Sequence, residues 1–168
     1  MRRYLVVANQ TLGGQNLLDA IRERLARGPA EFWVLAPATP ITHLTTDFGA
    51  LSGAFPVDPT VFPTAAEIRD EGIAMARANL DTELSRLHEI GATADGAVGD
   101  PNPMVAIERA VAEHQFDEII LSTLPPGISR WLAMDLPSRV RRKINIPLTV
   151  VAAPKDRGAP DPGSEARP

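Results

Sequence analysis

At 168 residues the chain is long enough for one domain with a proper core and short for two. A hydrophobic fraction of 44% and a charged fraction of 23% are ordinary for a globular protein, and the net charge of -4 argues against a nucleic-acid partner gripped by phosphate neutralisation. Cysteine is absent, which excludes disulfides, thiolate metal sites and a cysteine nucleophile. No stretch approaches the roughly 20 apolar residues of a membrane span. The apolar run after Arg2 and Arg3 is too short for a secretory h-region. A cytoplasmic protein without membrane contact is expected.

Tyr4 to Ala8 is an uninterrupted apolar run ending at Asn9-Gln10-Thr11, which predicts a first strand buried on both faces. Gly13-Gly14 opens a helix with Leu17, Leu18, Ile21 and Leu25 on one face, stopped by Gly28-Pro29. Phe32 to Leu35 reads as a second strand closed by Pro37, and connections this short suit a parallel sheet. Residues 38–64 form an irregular insert: Pro40, Pro56, Pro59 and Pro63 break any period, yet Phe48, Leu51, Phe55 and Phe62 are apolar. Such a segment either tucks aromatics onto the core or acts as a lid, and the first reading is the plainer one.

Thr64 and Glu67 have the spacing of a capping box, in which the hydroxyl accepts from the third amide and the glutamate reaches back. The long helix it opens places Ile73, Ala76, Leu80, Leu84, Leu87 and Ile90 on one stripe and ends at Gly91. Ala92 to Val98, with small residues in place of large aliphatics, reads as an edge strand. Asp100 suits an N-cap and Pro101 the first turn of the next helix, with Val105, Ile107 and Val111 toward the core.

Asp117 to Val151 carries a βαβ pattern. Ile119-Ile120-Leu121 forms a strand that stops at Ser122-Thr123, and the loop Leu124-Pro125-Pro126-Gly127 follows. A short cationic helix leads to a last apolar run, Leu148 to Val151. Five strands alternating with four helices make one doubly wound α/β domain over residues 1–153, and the proline-, glycine- and charge-rich tail at 154–168 is expected to be disordered. The loop after Thr123 leaves the carboxyl end of a strand, where open α/β sheets bind ligands.

Few residues carry catalytic chemistry. His43, His88 and His114 lack ligand spacing, so no metal is expected. Ser122, Thr123 and Ser129 have no G-x-S-x-G context and no paired histidine, and their hydroxyls are expected to bond the turn backbone. Arg139, Arg141, Arg142 and Lys143 complement the negative end of a helix. Trp131 reads as an anchor packed on the core or at a subunit contact. Without a base, nucleophile or metal set, no enzyme is expected.

Three stretches together resemble the universal stress protein family. Tyr4 to Thr11 is similar to its opening strand and turn. Val98-Gly99-Asp100-Pro101 running into Ile107 and Ala110 is similar to its third strand, turn and helix. Gly127-Ile128-Ser129-Arg130-Trp131-Leu132, with Arg139-Val140 and Ile146 to Val151, is similar to its closing segment. The resemblance implies strand order 3-2-1-4-5. It also implies a crevice between the first and fourth strands at Ala8, Asn9, Thr11, Thr123, Gly127, Ser129 and Asp135, and a homodimer through the last strand.

Nucleotide-binding members carry G-x2-G-x9-G-[S/T] after the fourth strand, because glycines admit phosphates to backbone amides and the last pair opens a helix. Here Ser122 and Pro125 stand where the first two glycines belong, Met134-Asp135 replaces the closing pair, and Asn9 replaces the first-strand aspartate. Pro125 and Pro126 lack donors. Asp135 as N-cap would occupy a helix amide and put negative charge where a phosphate would sit. The resemblance therefore implies a non-catalytic stress or regulatory protein that does not hold ATP tightly. The alternative is a sensor of a nucleoside, a mononucleotide or a small anion, since asparagine hydrogen-bonds without charge.

Overall fold

The computed structural model describes residues 1–8, 14–38, 64–124, 132 and 135–153. Asn9, Thr11, His43, Pro125, Pro126, Gly127, Ser129, Trp131 and Met134 lie outside the described residues, as do nearly all of the 38–64 insert and the whole 154–168 tail. The strands are β1 (Arg2–Val7), β2 (Ala30–Pro37), β3 (Thr93–Gly99), β4 (Glu118–Thr123) and β5 (Leu148–Ala152). They form one sheet in the order 3-2-1-4-5, with every neighbouring pair parallel. Among the described residues four helices alternate with them: α1 (Gln15–Ala26), α2 (Ala65–Glu89), α3 (Pro103–Glu113) and α4 (Leu136–Lys143). The α/β class and the strand order expected from the sequence are both found.

Alternation along each strand builds two cores. Tyr4, Val6, Phe32, Val34 and Ile120 pack under Leu17 and Ile21 of α1 and Ala76, Leu80 and Leu87 of α2. Leu5, Val7, Leu35, Ile119 and Leu121 pack against Met104 and Ile107 of α3 and Leu136 and Val140 of α4. Apolar residues at successive positions of β1 and β4 thus serve opposite layers, which is why those strands show no polar alternation. From the centre of the sheet β1 connects outward to β2 and β4 outward the other way to β5. Right-handed crossovers then put α1 and α4 on opposite faces.

Local chemistry fixes the helix ends. Thr64 and Glu67 make the capping box: the Thr64 amide donates to Glu67 Oε2 at 2.6 Å, and the Glu67 amide donates to Thr64 Oγ1 at 3.3 Å. These bonds hold the Glu67 carboxyl below its ordinary value. Gly91, at φ +81°, carries the chain out of α2. Edge strand β3 needs its small residues, because a Cβ at Gly96 would lie 2.3 Å from the Val34 carbonyl oxygen and 2.9 Å from Leu80 Cδ1.

Helix α3 starts two residues later than its sequence suggests. Asn102, not Asp100, is the N-cap and accepts from the Met104 amide at 3.0 Å, while Asp100 Oδ1 accepts from the Asn102 amide at 2.8 Å. Pro101 and Pro103 can each serve a first turn, since neither has an N–H to lose. The later start turns Met104 and Ile107 into the core and leaves Val105 37% exposed, against the expectation that Val105 faces inward.

One polar network crosses the α1 layer. Arg24, only 5% exposed, donates through Nη2 to Glu118 Oε1 and to Thr149 Oγ1 at 3.2 Å, and through Nη1 to the Ala20 carbonyl at 3.0 Å. Thr149 Oγ1 donates to the same Glu118 oxygen at 2.7 Å. Burial pulls the Glu118 carboxyl upward. The hydrogen bonds from Arg24 and Thr149, with the charges of Arg24 and Arg27, outweigh it and hold the group below the usual carboxylate value.

Candidate functional site

The crevice implied by the topology lies where β1 and β4 end side by side. Val7 is level with Leu121, so Ala8 follows beside Ser122, and Thr123 lies one residue further, level with Ala152 of β5. The strand order reverses between β1 and β4, which makes these two strand ends the switch point of the sheet, the place where open α/β sheets bind ligands. The Ala8 amide donates to the Leu35 carbonyl at 3.1 Å and the Ala153 amide to the Thr123 carbonyl at 2.8 Å, so backbone bonding holds the rim into the first loop residues.

Ala8 is fully buried and belongs to the α1/α2 layer. Thr123, in register with Ile119 and Leu121, belongs by alternation to the α3/α4 layer. The two residues therefore belong to opposite faces of the sheet, and the rim rather than one face is what they share. Thr123 is 1% exposed and its Oγ1 is buried without a hydrogen-bond partner among the described residues. The bond to the turn backbone expected for this hydroxyl is not found there. Ser122, 2% exposed, lies on the other face.

Asp135 stands at the N-cap of α4, as its sequence position suggests, but it does not cap through its side chain. Its backbone is left-handed, at φ 54° and ψ 36°, the one positive φ outside glycine among the described residues. Side-chain capping needs an extended N-cap backbone, so the carboxylate makes no bond to the helix amides. The expected blocking of an amide is thus not found, and what Asp135 supplies there is negative charge. The helix start is poor in donors for another reason. Pro137 has no N–H, so one of the first-turn positions that would otherwise offer a free amide offers none.

Asn16 is a crevice neighbour that sequence reasoning missed. In the first turn of α1, it donates from Nδ2 to the Ala152 carbonyl at 2.7 Å and ties that turn to the end of β5. Its signal is its place shortly after Gly13-Gly14, on the turn facing the strand ends. The remaining sites are of other kinds. His88 Nε2 lies 2.9 Å from the Ala94 carbonyl, and His114 packs on Trp33. Lys143 pairs with Glu108 at 2.8 Å. Among the described residues no group of three histidine, aspartate or glutamate side chains could hold a metal ion, and no helix is long and apolar enough to cross a membrane.

No protein-family model matches the sequence, and a search of curated proteins found no match. Solved structures do match. A universal stress protein family protein from Arabidopsis thaliana, crystallised with AMP bound, has a TM-score of 0.54 at 12% identity, over 96% of this chain and 98% of that one. A universal stress protein from Archaeoglobus fulgidus has a TM-score of 0.55 at 17% identity, over 90% and 93%. At these identities the likeness shows the fold.

Proposed function

On a chain that has the fold of the universal stress proteins, we propose a non-catalytic regulatory domain that senses a nucleoside or mononucleotide at the β1/β4 rim and does not hold ATP tightly. The observation that carries this reading is the Thr123 hydroxyl, buried at the switch point with no partner among the described residues. A buried hydroxyl without a partner is costly, and a ligand hydroxyl or ring nitrogen would supply what it lacks. That the Arabidopsis protein of the same fold was crystallised with AMP bound supports a mononucleotide as the class of ligand. Selection against the triphosphate rests on Pro125, Pro126 and Pro137, which have no amides to offer, and on the charge of Asp135.

A thermal-shift series with adenosine, AMP, ADP and ATP–magnesium tests this. Adenosine or AMP should raise the melting temperature by several degrees, corresponding to about 2.7 kcal/mol at a hundredfold excess over Kd. ATP should give less. No shift with any of the four would remove the sensor, and a larger shift with ATP would remove the argument from the missing amides.

The assembly proposed is a homodimer through β5. Among the described residues this strand pairs with β4 alone, which leaves its outer edge without a strand partner, and all five of its residues are half-buried in the single chain. Light scattering at high concentration should give twice the 18.1 kDa chain mass; a clean monomer would count against it.

A further inference from the structure

Away from the crevice, parallel register lines up two rows on the face that α3 covers: Arg3, Glu31 and Thr93, and next to them Leu5, Trp33 and Asp95. His114, the C-cap of α3, lies against the Trp33 indole with ring centroids 4.6 Å apart, and Phe116 lies 6.0 Å beyond His114. A cavity of about 280 Å³ opens over Trp33, bordered by Arg3, Glu31, Asp95, His114 and Phe116. These rows begin the strands, whereas Ala8 and Thr123 end them, so this cavity is no part of the crevice.

The charges around it decide what it can hold. Arg3 is committed to Glu31, with Nε 3.0 Å from Oε2, and those two charges cancel. Asp95 is exposed and in no ion pair among the described residues. Its Oδ1 accepts from the Gly96 amide at 2.7 Å, and Oδ2 is uncommitted. What remains is one uncompensated carboxylate beside an indole, whose ring face attracts cations. A divalent metal needs several oxygen ligands, and among the described residues no group of three histidine, aspartate or glutamate side chains could hold one. An anion finds no free cation, since Arg3 is taken.

We propose that this cavity is a second ligand site, taking a small organic cation of guanidinium or primary-ammonium type, with Trp33 as its stacking surface and Asp95 as its counter-ion. The volume sits at the low end for ligand pockets, which suits a short aliphatic cation and not a nucleotide.

The probe is agmatine, which carries both groups, titrated into the full-length ¹⁵N-labelled protein while the Trp33 indole N–H is followed. The Trp131 indole serves as internal reference. A saturable shift of the Trp33 resonance is expected, weakened roughly tenfold in Asp95→Asn and unchanged in Thr123→Val. An uncharged diol of similar length should cause no shift. Asparagine keeps the acceptor for the Gly96 amide, so the variant should fold; if it does not, Trp33→Leu read by calorimetry decides the same question, with loss of agmatine binding expected. The proposal is overturned by no saturable shift up to about 10 mM agmatine, by wild-type affinity in Asp95→Asn or Trp33→Leu, or by an equal response to the diol.

Discussion

Strand β4 carries a polar side chain at each end, and the fold treats the two differently. At its first residue, Glu118 meets Arg24 from α1 and Thr149 from β5. At its last, the Thr123 hydroxyl is fully buried and has no hydrogen-bond partner among the described residues. The first residue of β4 is therefore tied to its neighbours by a charged pair, and the hydroxyl of its last residue is not tied to any described residue. An unmet buried hydroxyl costs about 1–3 kcal/mol, a sizeable share of a domain's net stability. A fold that completes a charged pair at one end of a strand and leaves a hydroxyl open at the other separates the work of holding the sheet from the proposed work of binding.

The sharpest way to break the comparison is Glu118→Gln. It leaves the Arg24 charge buried without its carboxylate, and stability should fall by about 3 kcal/mol, or roughly 10 °C in melting temperature. Ligand response at the rim should survive. The same variant reads the pH dependence. Because the folded carboxyl is held low, its contribution is complete above the unfolded value of about 4.3 and is lost as pH falls through the folded value. Glu118→Gln should therefore flatten part of the acid limb of a stability–pH curve, leaving the part that Glu67 supplies in the same direction. An unchanged acid limb would mean that the pair does not hold the start of the sheet.

What the sequence makes legible is what is local. The apolar runs of β1 and β4, the capping box at Thr64 and the small residues of edge strand β3 each depend on neighbours a few positions away, and each can be read from them. The start of α3 is ambiguous because Pro101 and Pro103 offer the same local signal, and only the packing of Met104 and Ile107 chooses between them. The Arg24–Glu118 pair spans 94 positions and has no local mark, and the fully buried Glu83 on α2 likewise breaks no helical pattern. Asp135 reads correctly as a helix start, but its left-handed backbone is a property of the turn and not of the residue type, so its lack of a cap leaves no trace in the sequence. The site is legible as a location, the meeting of the first and fourth strand ends, and not as a set of contacts.

The smallest expected effect on stability is the most telling. Thr123→Val keeps the shape of the side chain and exchanges an unsatisfied hydroxyl for a methyl. Were the hydroxyl bonded, the exchange would strand a partner and cost about 1 kcal/mol or more. As Oγ1 has no partner among the described residues, the melting temperature should hold steady or rise slightly, since a group that gains nothing from burial is removed. The response to adenosine or AMP should weaken at the same time, because the ligand loses the hydrogen bond that the fold does not use. A marked loss of stability would put Thr123 with Glu118 among the groups that hold the sheet. Unchanged stability with unchanged nucleoside response would leave the rim reading without its carrying observation.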